Sequence, residues 1–496
     1  MQEVLCPQCG AAVRFESAGA VMVVCGACRS TITKDADVAK TIGHLAAVVE
    51  DGSPVRIGTR GRQEGRGFHV VGRLRMQYDA GGWNEWYVLF DDGTDGWLSD
   101  ASGQYALMRR LPDAKLLAPL PAFDEVRVGE AIKIDGALHF VSDRRESRCI
   151  GGEGELPVNA ADGWDARAVD CRRGQAFATI DYSDDAPVIY AGTAAQRTDL
   201  DPQTLRGKDE IQASTERYRG RVMPLDCPNC GGSVTIAVAM ATQVVCPSCS
   251  SLLDCSGDRA EIIEANKRAA QFRTTLALGA VGKFNVPYTV LGVMRCDVPG
   301  DTAEPAWFEY LLFNPEAGYL WLVETEDGWQ RVTVSDEWPT VVSDATCMFR
   351  GMAWSPQYDY RARVTAVFGA FNWRVRRGDT RRVTDFKCNL RETLTREQTD
   401  EEITWSIASA FPEASVRSAF GLPKAMRAPM PTSTRSADAD DDEVNVENAT
   451  APSTVAWIAT VVFFVLSESI SSGAFWIGLL MVWAPLAVLY SREEAP

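Results

Sequence analysis

A chain of 496 residues exceeds one ordinary hydrophobic core, so three or more folded units are expected. Its apolar content of 46% and charged content of 24% exclude a wholly disordered protein. The formal charge of −17 argues against a general nucleic-acid binder, which needs a basic face to displace counterions from phosphates.

The first element is a cysteine cluster, Cys6-Pro7-Gln8-Cys9 followed by Cys25-Gly26-Ala27-Cys28. Far downstream the pattern returns as Cys227-Pro228-Asn229-Cys230 and Cys246-Pro247-Ser248-Cys249. A C-x2-C hairpin aims two thiolates at one point, and two hairpins complete the tetrahedron that Zn²⁺ prefers. All eight cysteines are therefore predicted zinc ligands, in two structural sites with no open position for substrate. Met1-Gln2-Glu3 leads straight into the first knuckle with no export signal, which points to a reducing, cytosolic setting. Disulfide pairing within the clusters is the alternative.

After the first ribbon, Val38, Ile42, Leu45 and Val49 predict a helix from Asp35 to Glu50. Asp258 to Arg273 occupies the same place after the second, with Ile262, Ala265, Ala269 and Phe272 on one face. Strand-like runs follow in both halves: Phe68 to Gly72 and Tyr288 to Gly292, then Trp83-Asn84-Glu85-Trp86 and Trp307-Phe308-Glu309-Tyr310, then Trp97-Leu98 and Trp321-Leu322. The offset between halves is 221 at Cys6/Cys227, 220 at Gly72/Gly292 and 224 at both Trp83/Trp307 and Trp97/Trp321. Unrelated motifs would not keep register in this way, so the unit is duplicated. Further strands are predicted at Ala131 to Val141, Phe177 to Tyr182 and Val188 to Tyr190, and at Ala362 to Val375 and Glu402 to Ile407. The tryptophans alternate with apolar residues in these strands and are read as core.

The domain boundaries are a ribbon over 1–33, a helix plus β domain over 34–197 and a linker over 198–222. A second ribbon over 223–257 and a second helix plus β domain over 258–423 follow. Residues 424–453, with Asp438, Asp440, Asp441, Asp442 and Glu443, read as a flexible acidic tether. Over 454–490, the apolar runs Val455 to Leu466 and Ala474 to Tyr490 flank a serine-rich turn. Lys424, Arg427 and Arg435 before them and Arg492 after them favour a transmembrane hairpin with both ends cytoplasmic. A single span is the competing reading, because each run is short for a hydrocarbon core of about 30 Å.

The search for catalysis is mostly empty. His44, His69 and His139 form no metal or triad spacing, and no phosphate loop, H-E-x-x-H or G-x-S-x-G occurs. The glycine- and arginine-rich stretch Gly58 to Gly67 lacks the strand–loop–helix setting of a phosphate cradle and reads as a β-turn. One acidic constellation remains: Glu153 and Glu155 in Gly151 to Pro157, with Asp165 and Asp170 following. Such carboxylates could share a proton or hold a divalent ion, or be solvated acids of a turn between strands. The corresponding stretch of the second half, Phe368 to Trp373, has lost the acids.

Each half resembles the bacterial domain of unknown function number 4178. The likeness rests on the Tyr/Phe-x-Val-x-Gly strand, the Trp-x-Glu-Trp/Tyr segment and the following Trp-Leu. It rests also on Gly154-Glu155-Leu156-Pro157 and Phe177 to Tyr182 in the first copy, and in the second on Trp373-Arg374-Val375 and Leu394 through Glu402 to Trp405-Ser406. The resemblance implies zinc ribbons and a C-terminal membrane segment as companions, and a genomic setting near polyamine-synthesis and membrane-stress genes. It implies no catalytic residue.

The expectation is a mainly β protein, with two zinc ribbons each followed by a β-barrel or sandwich-like domain and a C-terminal transmembrane helical hairpin. The function expected is an interaction or adaptor module with two Zn²⁺, tethered to the inner membrane and facing the cytoplasm. Its partners would be the membrane and membrane-associated proteins, with no nucleic acid. The competing expectation is an enzyme or small-ligand sensor using Glu153, Glu155, Asp165 and Asp170.

Overall fold

The structure is a computed structural model. It describes most of residues 2–44 and 53–210, short stretches between 225 and 264, and most of 274–423. The tether and the apolar C-terminal segment lie outside the described residues.

Each copy closes into a barrel of antiparallel strands. In the first, β1 (Arg66–Tyr78), β2 (Gly81–Phe90), β3 (Asp95–Ala101) and β4 (Gln104–Arg110) form a meander. The chain then crosses the barrel to β5 (Ala137–Leu156), which pairs back with β1. A second meander adds β6 (Trp164–Arg173), β7 (Ala176–Asp181) and β8 (Val188–Ala195), and β8 pairs with β4. The ring therefore runs β1-β2-β3-β4-β8-β7-β6-β5 and returns to β1. The second copy repeats it with β9 (Pro287–Asp297), β10 (Trp307–Asn314), β11 (Gly318–Thr325) and β12 (Gly328–Val334). Its other half is β13 (Met352–Phe371), β14 (Thr380–Lys387), β15 (Glu392–Gln398) and β16 (Ile403–Phe411). Here β13 closes on β9 and β16 on β12. Of the two architectures the sequence allowed, the barrel is the one formed.

Period-two alternation gives each strand two faces. In β7, Ala178 and Ile180 face an apolar layer capped by Phe123 and Val126, while Phe177 and Thr179 face the other way. On the opposite wall, Phe68, Val70, Trp86, Val88 and Leu98 pack beneath Val55 and Leu200. Thus part of the apolar core lies outside the barrel wall, under covering segments. Another part, Leu74, Met76, Tyr87 and Leu156 with Trp97 and Trp164, shares the interior with the polar side chains.

A glycine pair makes closure possible. Gly72 of β1 lies opposite Gly154 of β5, and a Cβ on Gly72 would sit 1.7 Å from the Glu155 carbonyl oxygen. Gly154 has a φ of +72°, and a Cβ there would meet the Val71 carbonyl oxygen at 2.3 Å. Gly292 and Gly369 make the same crossing in the second barrel. A bulge beside Gly72 and another beside Gly292 bend the strands at the same point. The repeated x-Val-x-Gly motif is thus a barrel seam.

The N-terminal four-cysteine unit joins at this seam. Its strand Met22–Val24 pairs with Gly154 to Leu156, extending the sheet from the end of β5. Gln243–Val245 pairs with Ala370 and Phe371 of β13 in the same way.

Two expectations are corrected. The predicted helix from Asp35 to Glu50 begins instead as a hairpin, Ser30–Asp35 against Val38–His44. Within the stretch Asp258 to Arg273, the described residues Glu261–Glu264 form a strand paired with Leu252–Asp254. An apolar spacing of four, as in Val38 and Ile42, fits one face of a strand as well as one face of a helix. Pairing with the neighbouring β-branched strand decides the outcome. A short helix that the sequence reading passed over, α1 (Glu413–Phe420), follows β16 with Gly421 in the left-handed conformation at its end.

Candidate functional site

The two barrels correspond strand by strand. Matching Gly154 to Gly369 sets β5 and β6 against β13 and β14 with an offset of 215, down to a bulge at Ser142 and at Gln357. Along β7 and β15 the offset is 216, so that Thr179 matches Thr395.

Inside each barrel the tryptophan of the Trp-x-Glu segment donates its indole N–H to the glutamate two residues on. The distance is 2.6 Å from Trp83 to Glu85 and 2.8 Å from Trp307 to Glu309. A second pair is also repeated: the Thr179 hydroxyl donates to Asp170 at 2.6 Å, and Thr395 donates to Asp385 at 2.6 Å. These side chains share the interior face of their strands.

The barrels differ at several charged interior positions: Asp143 and Arg145 of the first match Tyr358 and Tyr360 of the second, and Ala166 matches Arg381. In the second, Arg381 of β14 reaches Glu309 of β10, three strands away around the ring, and also contacts Glu397 at 3.1 Å. That reach is possible only across the interior. Arg381 lies opposite Ala362, and in the first barrel the matching pair is Ala166 opposite Ser147. Alanine stands where the guanidinium stem would begin. Among the described residues, Glu85 has Trp83 and Ser99 as hydrogen-bond partners and no ion pair. Burial pushes the Glu85 carboxyl up to about 7 against those two donors, with Asp170 and Asp100 adding to the shift. Burial also raises Asp170, although Arg145 and Arg172 oppose it.

These groups line a solvent-connected cavity of about 2090 Å³ walled by residues of both barrels, among them Tyr78, Trp83, Glu85 and Asp170. Arg145 projects into it, paired with Asp143 and Glu402 and lying 3.8 Å over the Tyr78 ring. An interior of this kind can bind a small molecule; eight-stranded barrels either fill with side chains or hold one ligand.

Of the four acids singled out from sequence, only Asp170 lies at this site. The stretch Gly151 to Leu156 is not a turn but the end of the long strand β5. Glu153 pairs with Arg73 at 3.2 Å, Glu155 is buried where the cysteine unit joins, and exposed Asp165 pairs with Arg148 at 2.6 Å. Glu85 and Asp143 were missed. The duplicated Trp-x-Glu segment was visible, but the direction its glutamate faces depends on barrel closure. The tryptophans divide likewise: Trp86, Trp329, Trp338, Trp354 and Trp405 are buried core, whereas Trp83 and Trp307 serve the interior carboxylates. His69 and His139 lie in strands, as expected.

The N-terminal cysteines form the other candidate centre. The Sγ atoms of Cys6, Cys9, Cys25 and Cys28 all lie within 4.8 Å of one another. Two of the edges are 3.6 Å and 3.7 Å, against about 3.8 Å for a tetrahedron of thiolates on zinc. The four could hold one Zn²⁺. In the second cluster Cys246 accepts the same local turn as Cys25, its N–H donating to Ser251 as Cys25 does to Ser30. Cys227, Cys230 and Cys249 lie outside the described residues.

With both barrels in view, the comparison with known families can be placed on them. The family described as a domain of unknown function, DUF4178, matches residues 56–197 and 278–413. The chain belongs to this family. Each DUF4178 match covers one barrel, from before its first strand to its last. No curated protein and no solved structure matches the chain.

The Glu85 carboxyl gives the DUF4178 barrel a testable pH response. Its folded value lies above the ordinary 4.5, so the protonated form favours the fold. This contribution is full below pH 4.5 and is lost as pH rises through about 7. Glu85→Gln is expected to flatten that part of the stability profile, measured as urea midpoints between pH 5 and 8 with wild type as reference. An unchanged profile would place the titration elsewhere.

Proposed function

We propose that the chain is a membrane-tethered, cytoplasm-facing binding module whose first barrel takes a small ligand into its acidic interior. The second barrel, whose interior acids are already paired with its own Arg381, serves as a structural partner. Both four-cysteine clusters hold structural Zn²⁺ and brace the barrels at their seams. The apolar segment after the acidic tether anchors the chain as a hairpin in the inner membrane, and ligand occupancy governs recruitment of a membrane-associated protein. The observation that carries this reading is Glu85, enclosed in a solvent-connected cavity beside Trp83 and Asp170 with no counter-charge of its own.

Two features favour ligand sensing over an adaptor that takes no ligand. Glu85 stands beside Asp170 without the arginine that pairs with its counterpart Glu309 in the second copy. Carboxylates held half-protonated near neutral pH are common at binding and catalytic sites. The test is native mass spectrometry of the full chain purified from its own host. A small-molecule adduct is expected on wild type and should be lost in Asp170→Asn. If no adduct forms and no fraction of a metabolite extract raises the melting temperature, the reading fails.

A further inference from the structure

We propose that the ligand carries a cationic head, a guanidinium or amine on an organic body, and that this head sits in the first barrel where the Arg381 guanidinium sits in the second. The proposal rests on the ligand-binding reading above and adds the chemical class and the position.

The second barrel supplies the template. Its guanidinium bridges two interior acids, Glu309 on β10 and Glu397 on β15. By register, their counterparts in the first barrel are Glu85 and Asp181, so both acids are retained while the arginine is replaced by Ala166. One Asp181 oxygen takes the Ser183 N–H at 2.9 Å and the Ser183 hydroxyl. The arginine at this position is absent while both carboxylates remain; the first barrel's own interior arginine, Arg145, stands opposite Ala168 and pairs with Asp143 and Glu402. A ligand bearing the same group restores the balance.

Two further observations narrow the class. Among the described residues the only set of three or more Cys, His, Asp or Glu groups close enough to chelate one ion is the N-terminal cysteine cluster. The barrel carboxylates are therefore too dispersed to cage a bare divalent metal, and they suit a larger, multi-donor head. Next to them, Tyr78 and Trp83 stand with ring centroids 6.0 Å apart and both line the cavity, giving an aromatic wall for the cation or its alkyl stem. The charges facing Glu85 are Asp170 and Asp100. The nearby cations hold partners of their own, Arg145 with Asp143 and Glu402 and Arg172 with the Asp336 carbonyl, and both also act on Asp170 rather than on Glu85. An anionic ligand would meet repulsion at this position.

The experiment is calorimetric titration of the detergent-solubilised, zinc-loaded full chain with n-butylguanidinium, n-butylammonium, butyrate and n-butanol. Wild type is expected to bind one n-butylguanidinium per chain, more tightly than n-butylammonium, with Glu85→Gln weakening it by about tenfold or more. Ala166→Arg should abolish binding by filling the site from within. Arg381→Ala should raise the stoichiometry to two and gain thermal stability on adding the probe, a rescue that a merely structural arginine would not show. Circular dichroism confirms that each variant is folded; should Ala166→Arg not fold, the Arg381→Ala stoichiometry decides alone. A folded Ala166→Arg that binds as wild type does, or an Arg381→Ala that stays at one site, would overturn the proposal. Glu85-dependent binding of butyrate or butanol without the cations would overturn it too, while leaving the ligand-binding reading intact. Binding of none of the probes would overturn it as well, and the native-mass adduct then decides the broader reading separately.

Discussion

Gly154→Ala is expected to destabilise the first barrel by about 3 kcal/mol or more, a large fraction of the stability of an ordinary domain. Two costs add. The residue holds a φ of +72°, which a side chain disfavours by about 1–2 kcal/mol. The new Cβ would also meet the Val71 carbonyl at 2.3 Å and the Ile57 methyl at 2.6 Å, and the carbonyl belongs to the strand that must cross there. Gly93 is the control: its φ is +80° but nothing lies within 4 Å, so Gly93→Ala should cost only about 1 kcal/mol. Urea denaturation of both variants measures the contrast. Equal losses would mean that the seam is not the closure point.

Cys25→Ser is expected to release one of the two zinc ions predicted per chain and to unfold the N-terminal unit while both barrels persist. The core of that unit consists of Cys6, Val13, Val23, Cys25 and Ile32, two of them candidate ligands. So small a core cannot support a fold unaided, and structural zinc supplies roughly 10–16 kcal/mol in comparable peptides. Losing it should free Met22–Val24 from the end of β5 and expose the unit to protease. Metal analysis with limited proteolysis reads both effects. A Cys25→Ser chain that keeps all its zinc, or a metal-free chain that resists protease, would contradict the assignment.

The duplication was legible because glycines and tryptophans mark fixed points. Gly72/Gly292 and Trp83/Trp307 keep the register that the strand pairing later displays. Closure was not legible. Whether β5 returns to β1 depends on a pairing between residues some eighty positions apart, and a strand in a sandwich carries the same alternation as one in a barrel. The helix expected after the first ribbon failed for a local reason, since apolar residues four apart serve either period. At the site, Asp170 was found and Glu85 was not. Both are acids in alternating strands, and sequence alone does not say which face of an isolated strand turns inward. Arg381 was harder still. Its partner Glu309 is 72 residues away, and the significance of Ala166 appears only when the two barrels are matched residue by residue.

The most direct test of the acidic interior is an infrared difference titration of the carboxylic-acid band in the full chain, with Glu85→Gln as the blank. Glu85 is predicted to titrate near pH 7 in the free protein and to shift downward when n-butylguanidinium is added. A midpoint at the ordinary 4.5, unmoved by the cation, would contradict the account.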